Sequence, residues 1–241
     1  MFFNDVHIMI YVAFGILGLI VGNILPHINK RLTEHKKVFT KDFFKDYPKN
    51  FKPHYIHMLL IAIIYILLLY KFGLKPDFIQ NLDLIKYMIL TPMLFSVAVI
   101  DFKNSIIPNR LLLTMAETGL LLNLAMDMLL GMVVGTVIFG ILTLLGRLVS
   151  GKEAMGMGDV KLVAALGLFF GASNILAISI ISFLLGAIIS IILVLSKKRK
   201  IDDYIPFGPF IVIASYIAIF VPFSAILFVL LKIFTLGLYK V

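Results

Sequence analysis

The sequence predicts an all-α protein, a polytopic transmembrane helical bundle of about eight spans. Apolar residues make up 61% of the 241 residues and charged residues only 15%. A soluble domain could not bury that much apolar surface. Several stretches approach the ~20 apolar residues that a helix needs to cross a bilayer. We therefore expect a multi-pass membrane protein in contact with the lipid bilayer.

The apolar runs define the expected spans. They are 8–26, 55–72, 84–101, 110–127, 129–149, 159–172, 174–195 and 207–231. The first run is too long for a cleaved signal peptide and has no basic leading region, so we expect it to be retained. Residues 27–54 form the one sizeable hydrophilic segment, a basic loop at the membrane surface. The whole chain, 1–241, is expected to form a single membrane-embedded domain.

Lysine and arginine predict the orientation of these spans. Most of the 22 basic residues fall on one side of the membrane. That side carries Lys30, Arg31, Lys36, Lys37, Lys41, Lys45, Lys49, Lys52, Lys103, Arg110, Arg147, Lys152, Lys161, Lys197, Lys198, Arg199 and Lys200, and the other side Lys71, Lys75, Lys86, Lys232 and Lys240. The positive-inside rule then places loop 27–54 in the cytoplasm and both chain ends outside. The basic loop is expected to anchor this topology near anionic headgroups rather than to bind nucleic acid.

Two aspartates stand at the ends of apolar runs. Asp101 ends the third expected span and Asp159 begins the sixth, and the charge count places both on the cytoplasmic side. A carboxylate near hydrocarbon is costly and usually faces a protein interior or a water-filled cavity. Taken alone, Asp101 is compatible with an interfacial charge at a helix end. The occurrence of both on one face predicts a pair with a shared function.

Paired carboxylates predict hydrolytic chemistry. Two carboxylates a few ångströms apart cannot both ionise cheaply, so the pair is expected to share one proton. The ionised member can then take a proton from water while the protonated member polarises a peptide carbonyl. Such a mechanism requires no metal and no serine or cysteine nucleophile. The sequence contains no cysteine, and its five histidines show no metal-binding spacing, so no metal site is predicted.

Residues near the two aspartates are candidates for shaping the site. Gly156 and Gly158 precede Asp159, and their lack of a Cβ permits positive φ and close approach of another backbone. The same glycines are equally compatible with a turn that caps a helix. Lys161 either extends to the interface or helps to hold the site. Glu117, inside the fourth expected span, is expected to have a structural role in the bundle.

Four segments in order resemble the bacterial type IV prepilin peptidases. The segment Gly156-Met157-Gly158-Asp159-Val160-Lys161-Leu162 is similar to their Gly-x-Gly-Asp-x-Lys-Leu motif, and Asp101 with Ile107-Pro108-Asn109-Arg110-Leu111 is similar to their first-aspartate segment. Ile205-Pro206-Phe207-Gly208-Pro209-Phe210 resembles their Pro-Phe-Gly-Pro stretch, and Gly22 to Arg31-Leu32 resembles their first helix. Pro26 departs from the asparagine usual in that helix.

The resemblance implies a membrane aspartic endopeptidase in the cytoplasmic membrane. Its substrates would be type IV prepilins or pseudopilins, whose leader it would cut after a glycine on the cytoplasmic side. Asp101 and Asp159 match the catalytic pair. The other matching positions imply residues that bind substrate or shape the site: Gly156, Gly158, Lys161, Pro108, Asn109, Pro206, Gly208 and Pro209. The oligomeric state does not follow from the sequence.

Two departures concern cofactors. Many relatives carry two Cys-x-x-Cys pairs in the first cytoplasmic loop, suited to zinc, whereas this loop has no cysteine. No zinc is therefore predicted. The larger members of the family also methylate the new amino terminus with S-adenosylmethionine. Loop 27–54 is short and shows no nucleoside-binding pattern, so no cofactor is predicted and methyl transfer is left open.

Three other functions fit parts of the same pattern. An ion-coupled transporter would use Asp101, Asp159 and Glu117 at broken helices, and it would carry inverted repeats. A presenilin-like intramembrane protease would share the Gly-x-Gly-Asp motif and lack the Asp-to-Ile-Pro-Asn segment. A membrane scaffold would tolerate replacement of either aspartate by asparagine. All four segments favour the interpretation as a peptidase.

Overall fold

The structure is a computed structural model that describes residues 2–3, 6–38, 40–41, 43, 47, 53–122, 126–150, 155–197 and 205–235. These residues are overwhelmingly helical, as predicted. A short antiparallel hairpin precedes the first helix, with β1 (Phe2–Phe3) paired to β2 (Val6–His7). The chain divides into two compact units, Met1–Ile100 and Asp101–Val241. The expectation of a single domain stays a prediction.

The first unit is built around two helices, α1 (Ile8–Thr33) and α2 (Tyr55–Phe72). They pack closely because α1 presents glycine to α2. A Cβ at Gly18 would lie 2.5 Å from the Ala62 Cα, and one at Gly22 would lie 2.6 Å from the His57 carbonyl oxygen. Small residues allow helix backbones to approach in this way in membrane proteins. A 3₁₀ turn (Ile79–Asn81) then leads into α3 (Leu82–Asn104).

Helix α1 extends beyond the predicted span. Residues 27–33, expected in the loop, continue the helix through Pro26 to Thr33. The basic residues of its last turn favour the helix end electrostatically, and Arg31 is nearly buried, donating to the Lys37 carbonyl at 3.1 Å and to Thr40 Oγ1 at 2.9 Å. Much of the remaining loop, including Lys45, Lys49 and Lys52, lies outside the described residues.

The second unit starts with Asp101 at the end of α3. It contains α4 (Asn109–Leu122), α5 (Met126–Ser150), α6 (Met157–Leu195), α7 (Gly208–Phe220) and α8 (Phe223–Phe234). Helices α5 and α6 cross where glycine faces glycine. A Cβ at Gly131 would lie 2.6 Å from the Gly167 carbonyl oxygen, and one at Gly135 would lie 2.7 Å from Val163 Cγ1.

Helix α6 is broken within its length. Gly171 has φ 74° and ψ 174°, values outside the helical region. The amide of Ala172, freed by this break, donates to Asp127 Oδ1 at 3.4 Å. The sequence predicted two spans here, 159–172 and 174–195, and the break at Gly171 lies within two residues of the expected boundary.

The last predicted span, 207–231, is not one straight helix. The helix axis bends by 117° between α7 and α8. Val221 is extended, with φ −108° and ψ 128°, and the Pro222 carbonyl accepts from the Ala225 and Ile226 amides to begin α8. Pro222 has no N–H to donate to the preceding turn, which favours the end of α7 at this point.

Within the described residues, five helices are long and apolar enough to cross a membrane, and up to six if the bent α7–α8 pair counts as one. They are α1, α2, α3, α5 and the broken α6. Helix α4 has 14 residues, about 21 Å at ~1.5 Å per residue. That is shorter than the ~30 Å of a hydrocarbon core. The number of eight spans and the outside position of the termini stay predictions.

Candidate active site

Asp101 lies in the last turn of α3 and is 2% exposed. Its Oδ2 accepts a hydrogen bond from the Gly208 backbone N–H at 2.9 Å, and this bond is buried. A carboxylate out of water needs such donors, because desolvation of an unpaired charge is costly. The first residue of α7 therefore fixes one oxygen of Asp101.

Asp159 is the third residue of α6 and is 3% exposed. Gly156, just before the helix, is extended at φ −71° and ψ 145°, and its carbonyl accepts from the Asp159 N–H at 3.0 Å. The Asp159 carboxylate in turn interacts with the Gly156 backbone N–H. This reciprocal arrangement resembles a capping box, and the helix dipole also favours a negative charge in the first turn.

The two aspartates lie in the same unit and act on each other. The negative charge of Asp101 disfavours a second negative charge on Asp159. Both side chains are almost fully shielded from solvent, so little water screens this repulsion. A single proton on the pair would relieve this repulsion. The structure thus brings together the two side chains that the sequence singled out.

Gly208 is a glycine for steric reasons. A Cβ at this position would lie 2.7 Å from Asp101 Oδ2 and 3.1 Å from Asp101 Cγ. Any other residue would have to displace the carboxylate or the start of α7. The sequence resemblance marked Gly208 as a site-shaping position, and the structure supplies a physical reason for it.

The segment after Asp101 packs on the start of α6. Ser105 adopts a left-handed φ of 53° as α3 ends, and the buried Pro108 carbonyl accepts from the Leu111 and Leu112 amides to begin α4. The side chain of Ile107 lies against Gly158, where a Cβ would be 3.4 Å away. Lys161 Nζ donates to Asn109 Oδ1 at 3.1 Å.

Positive φ, one of the two properties expected of the glycines before Asp159, is not observed, whereas Gly156 precedes the first residue of α6 as a helix-capping turn would. Neither Gly156 nor Gly158 is among the described residues with positive φ. Gly156 is extended in a conformation that any residue adopts, and Gly158 is helical and in ordinary van der Waals range of Ile107. Neither backbone strain nor a steric clash therefore requires glycine at 158.

The two prolines of the last motif flank the residue that holds Asp101. Pro206 is half-buried and lies just before α7, and Pro209 is the second residue of that helix. Proline fits there because the first helical amides have no partner within the helix. These prolines fix the backbone around Gly208.

Glu117 is not part of this site. Its side chain is exposed on α4, and the expected structural role inside the bundle finds no support. Among the described residues, no three His, Asp or Glu side chains come together in a way that could hold a metal ion. The prediction of no zinc and no cofactor stays a prediction.

Phe207 is the residue of this region that sequence reasoning did not single out. Its ring packs among other phenylalanines while its backbone precedes the Gly208 amide. The signal available in the sequence was its position inside the Pro-Phe-Gly-Pro segment. The tertiary contacts that give it meaning are not visible there.

The comparisons confirm the family resemblance of the central region. Residues 88–191 match the model of the type IV leader peptidase family. This match includes both Asp101 and Asp159 and ends before α7. No solved structure matches the chain.

Three similar proteins share the name prepilin leader peptidase/N-methyltransferase. The chain is 36% identical to the one from Aeromonas salmonicida over 138 residues, 36% identical to that of Xanthomonas campestris pv. campestris over 139 residues, and 34% identical to that of Pseudomonas aeruginosa over 138 residues. Each alignment covers 55% of this chain and 47–48% of the relative. The chain therefore matches about half the length of these relatives.

Proposed function

Because residues 88–191 match the type IV leader peptidase family, we propose that this chain is a membrane aspartic endopeptidase that removes the leader of type IV prepilins or pseudopilins. The observation that carries the proposal is the pair of buried, mutually repelling carboxylates of Asp101 and Asp159. The name of these relatives, prepilin leader peptidase, supports the substrate class. The basic loop supports a site that faces the cytoplasm, where the leader would be cut after a glycine.

In the proposed reaction, the ionised member of the pair takes a proton from water as the water oxygen bonds to the scissile carbonyl carbon. The protonated partner gives its proton to the carbonyl oxygen, which produces a tetrahedral diol. Collapse of the diol returns one hydroxyl proton to a carboxylate, while the other carboxylic acid protonates the amide nitrogen as the C–N bond breaks. The pair ends with one proton, ready for the next turnover.

The surrounding residues have supporting roles in this proposal. Gly208 donates its N–H to Asp101 and keeps that carboxylate oriented, between the prolines at 206 and 209. Gly156 does the same for Asp159. Asn109, Gly158 and Lys161 lie at the junction between the two aspartate-bearing segments, and Pro108 begins the helix that carries Asn109.

The test is cleavage of a synthetic prepilin leader peptide by the purified chain in detergent, with products identified by mass spectrometry. We expect one cut after the leader glycine, and loss of at least about 1,000-fold in kcat for Asp101→Asn and for Asp159→Asn, as is typical when one member of a catalytic unit is removed. Glu117→Gln, an exposed carboxylate, is the matched control and should cleave normally. Full activity of either asparagine variant would exclude the dyad mechanism, and absence of cleavage by the wild-type chain would favour a transporter or a scaffold.

Two further arms of the same assay address cofactors. A chelator should leave cleavage unchanged, because the carboxylate pair needs no metal for hydrolysis. Addition of S-adenosylmethionine shows by a mass increase of the product whether methyl transfer accompanies cleavage. Loss of cleavage with the chelator, restored by zinc, would contradict the cofactor-free proposal.

A further inference from the structure

The Gly208 amide, which donates to Asp101, directly follows Phe207. The half-buried ring of Phe207 packs against rings from three helices. The ring centroid of Phe207 lies 5.2 Å from Phe183 of α6, 5.7 Å from Phe210 of α7 and 6.2 Å from Phe139 of α5. Phe139 is fully buried. Edge-to-face and tilted rings at these separations attract one another beyond simple burial. These three rings thus set the orientation of the Phe207 ring.

The backbone of Phe207 determines where the Gly208 N–H points. The peptide plane between the two residues turns with the ψ angle of Phe207, which is −23°. The Phe207 carbonyl also accepts from the Phe210 N–H at 3.0 Å and so opens α7. A ring displaced from its pocket would rotate this peptide plane and move the N–H away from Asp101 Oδ2.

Space for the ring depends on Gly186 of α6. A Cβ there would lie 2.8 Å from Phe207 Cε2 and 3.4 Å from Phe210 Cδ2. A methyl group at 186 would therefore press on the aromatic cluster, with neither aspartate among its nearest neighbours. This glycine provides a way to disturb Phe207 without changing any group of the dyad.

We propose that Phe207 is a positioning residue of the carboxylate pair: its ring, held between α5 and α6, keeps the Gly208 amide on Asp101. The catalytic consequence depends on the peptidase function proposed above. The structural consequence, a fixed Gly208–Asp101 hydrogen bond, does not. The two can therefore be measured separately.

The experiment uses the full chain with Gly186→Ala, Phe207→Leu and the two changes combined. We expect Gly186→Ala to lower kcat about tenfold with KM unchanged and to displace the pH–rate profile, because the donor to Asp101 moves. In Phe207→Leu the smaller side chain leaves room for the added methyl group. Adding Gly186→Ala to this variant should therefore lower kcat by less than about twofold. Gly140→Ala is the control, since a Cβ at Gly140 would meet no atom within 4 Å.

Hydrogen–deuterium exchange of the segment 205–211 supplies a readout that does not require activity. Gly186→Ala should speed exchange at the Gly208 amide, and Gly140→Ala should not. If wild-type protein cleaves no leader peptide, the peptidase proposal fails while this exchange still tests the positioning of Gly208. The inference is overturned if the exchange rate at Gly208 and the pH–rate profile of Gly186→Ala both match wild type. It is also overturned if the reductions in kcat from Gly186→Ala and Phe207→Leu multiply in the double variant.

Discussion

At the scale of single residues, both aspartates are held by backbone amides. Asp101 accepts from Gly208 and Asp159 interacts with the N–H of Gly156. Backbone donors cannot be removed by changes of side chain, and they hold a carboxylate with fewer freely rotating bonds than a side-chain donor does. Both carboxylates lie in a poorly hydrated place, where the negative charge of Asp101 disfavours a second negative charge on Asp159.

The contact between Lys161 and Asn109 leads to a prediction at this scale. It joins the helix that begins near Asp159 to the helix that follows Asp101, at 3.1 Å. We expect Lys161→Met and Asn109→Leu each to lower kcat about three- to tenfold, because a hydrogen bond of this kind contributes roughly 0.5–1.5 kcal/mol. The double variant should be no slower than the slower single variant, with KM unchanged throughout.

The control for this pair is Lys103→Met, an exposed lysine near the end of α3. It should retain wild-type kcat. If instead Lys161→Met raised KM and Asn109→Leu had no effect, Lys161 would act on the substrate and not through Asn109.

At the scale of secondary structure elements, the break in α6 is specified by one residue. Gly171 has φ 74°, and a Cβ there would overlap the Asp127 carboxylate. Gly171→Ala should therefore lower the free energy of unfolding by about 1–3 kcal/mol, from backbone strain and from the loss of the Asp127–Ala172 hydrogen bond. Thermal unfolding in detergent measures this, and Gly140→Ala, in open space within α5, should leave the midpoint unchanged or raise it. Equal shifts for both variants would contradict the account.

The sequence predicted most of the helices because their apolar runs are long and their ends carry polar residues. It also predicted the break near Gly171, where the apolar run continues but is too long for one span. The bend between α7 and α8 was missed, although Pro222 provides a local signal for it. The extension of α1 past Pro26 was missed because proline and the following charges resemble a helix end, whereas burial of Leu25, Leu32 and Arg31 sustains the helix.

The pairing of the aspartates was predictable and the means of holding them was not. Asp101 and Asp159 stand out because carboxylates are rare beside apolar runs and the charge pattern puts them on one side. The role of Gly208 depends on contact between residues that are more than one hundred positions apart, and that of Phe207 on rings from three helices. No local pattern in the chain encodes these contacts.

At the scale of the whole molecule, the account requires that the ends of α3 and α6 carrying the aspartates face the cytoplasm. The chain has no cysteine, so single cysteines can be introduced without background. We expect Lys103→Cys to react with a membrane-impermeant maleimide only after the membrane is opened, and Lys75→Cys to react from outside in intact cells. The reverse pattern would place the aspartates on the wrong side for a cytoplasmic leader.

In the proposed mechanism, Asp101 and Asp159 act as one unit on a water molecule. The most direct test is single-turnover cleavage of a prepilin leader peptide by Asp101→Asn, Asp159→Asn and the double variant, with Glu117→Gln as control. We expect the double variant to be no slower than either single variant, because removing one member already disables the pair. Rate losses that multiply in the double variant, or a single variant that keeps its activity, would contradict the account.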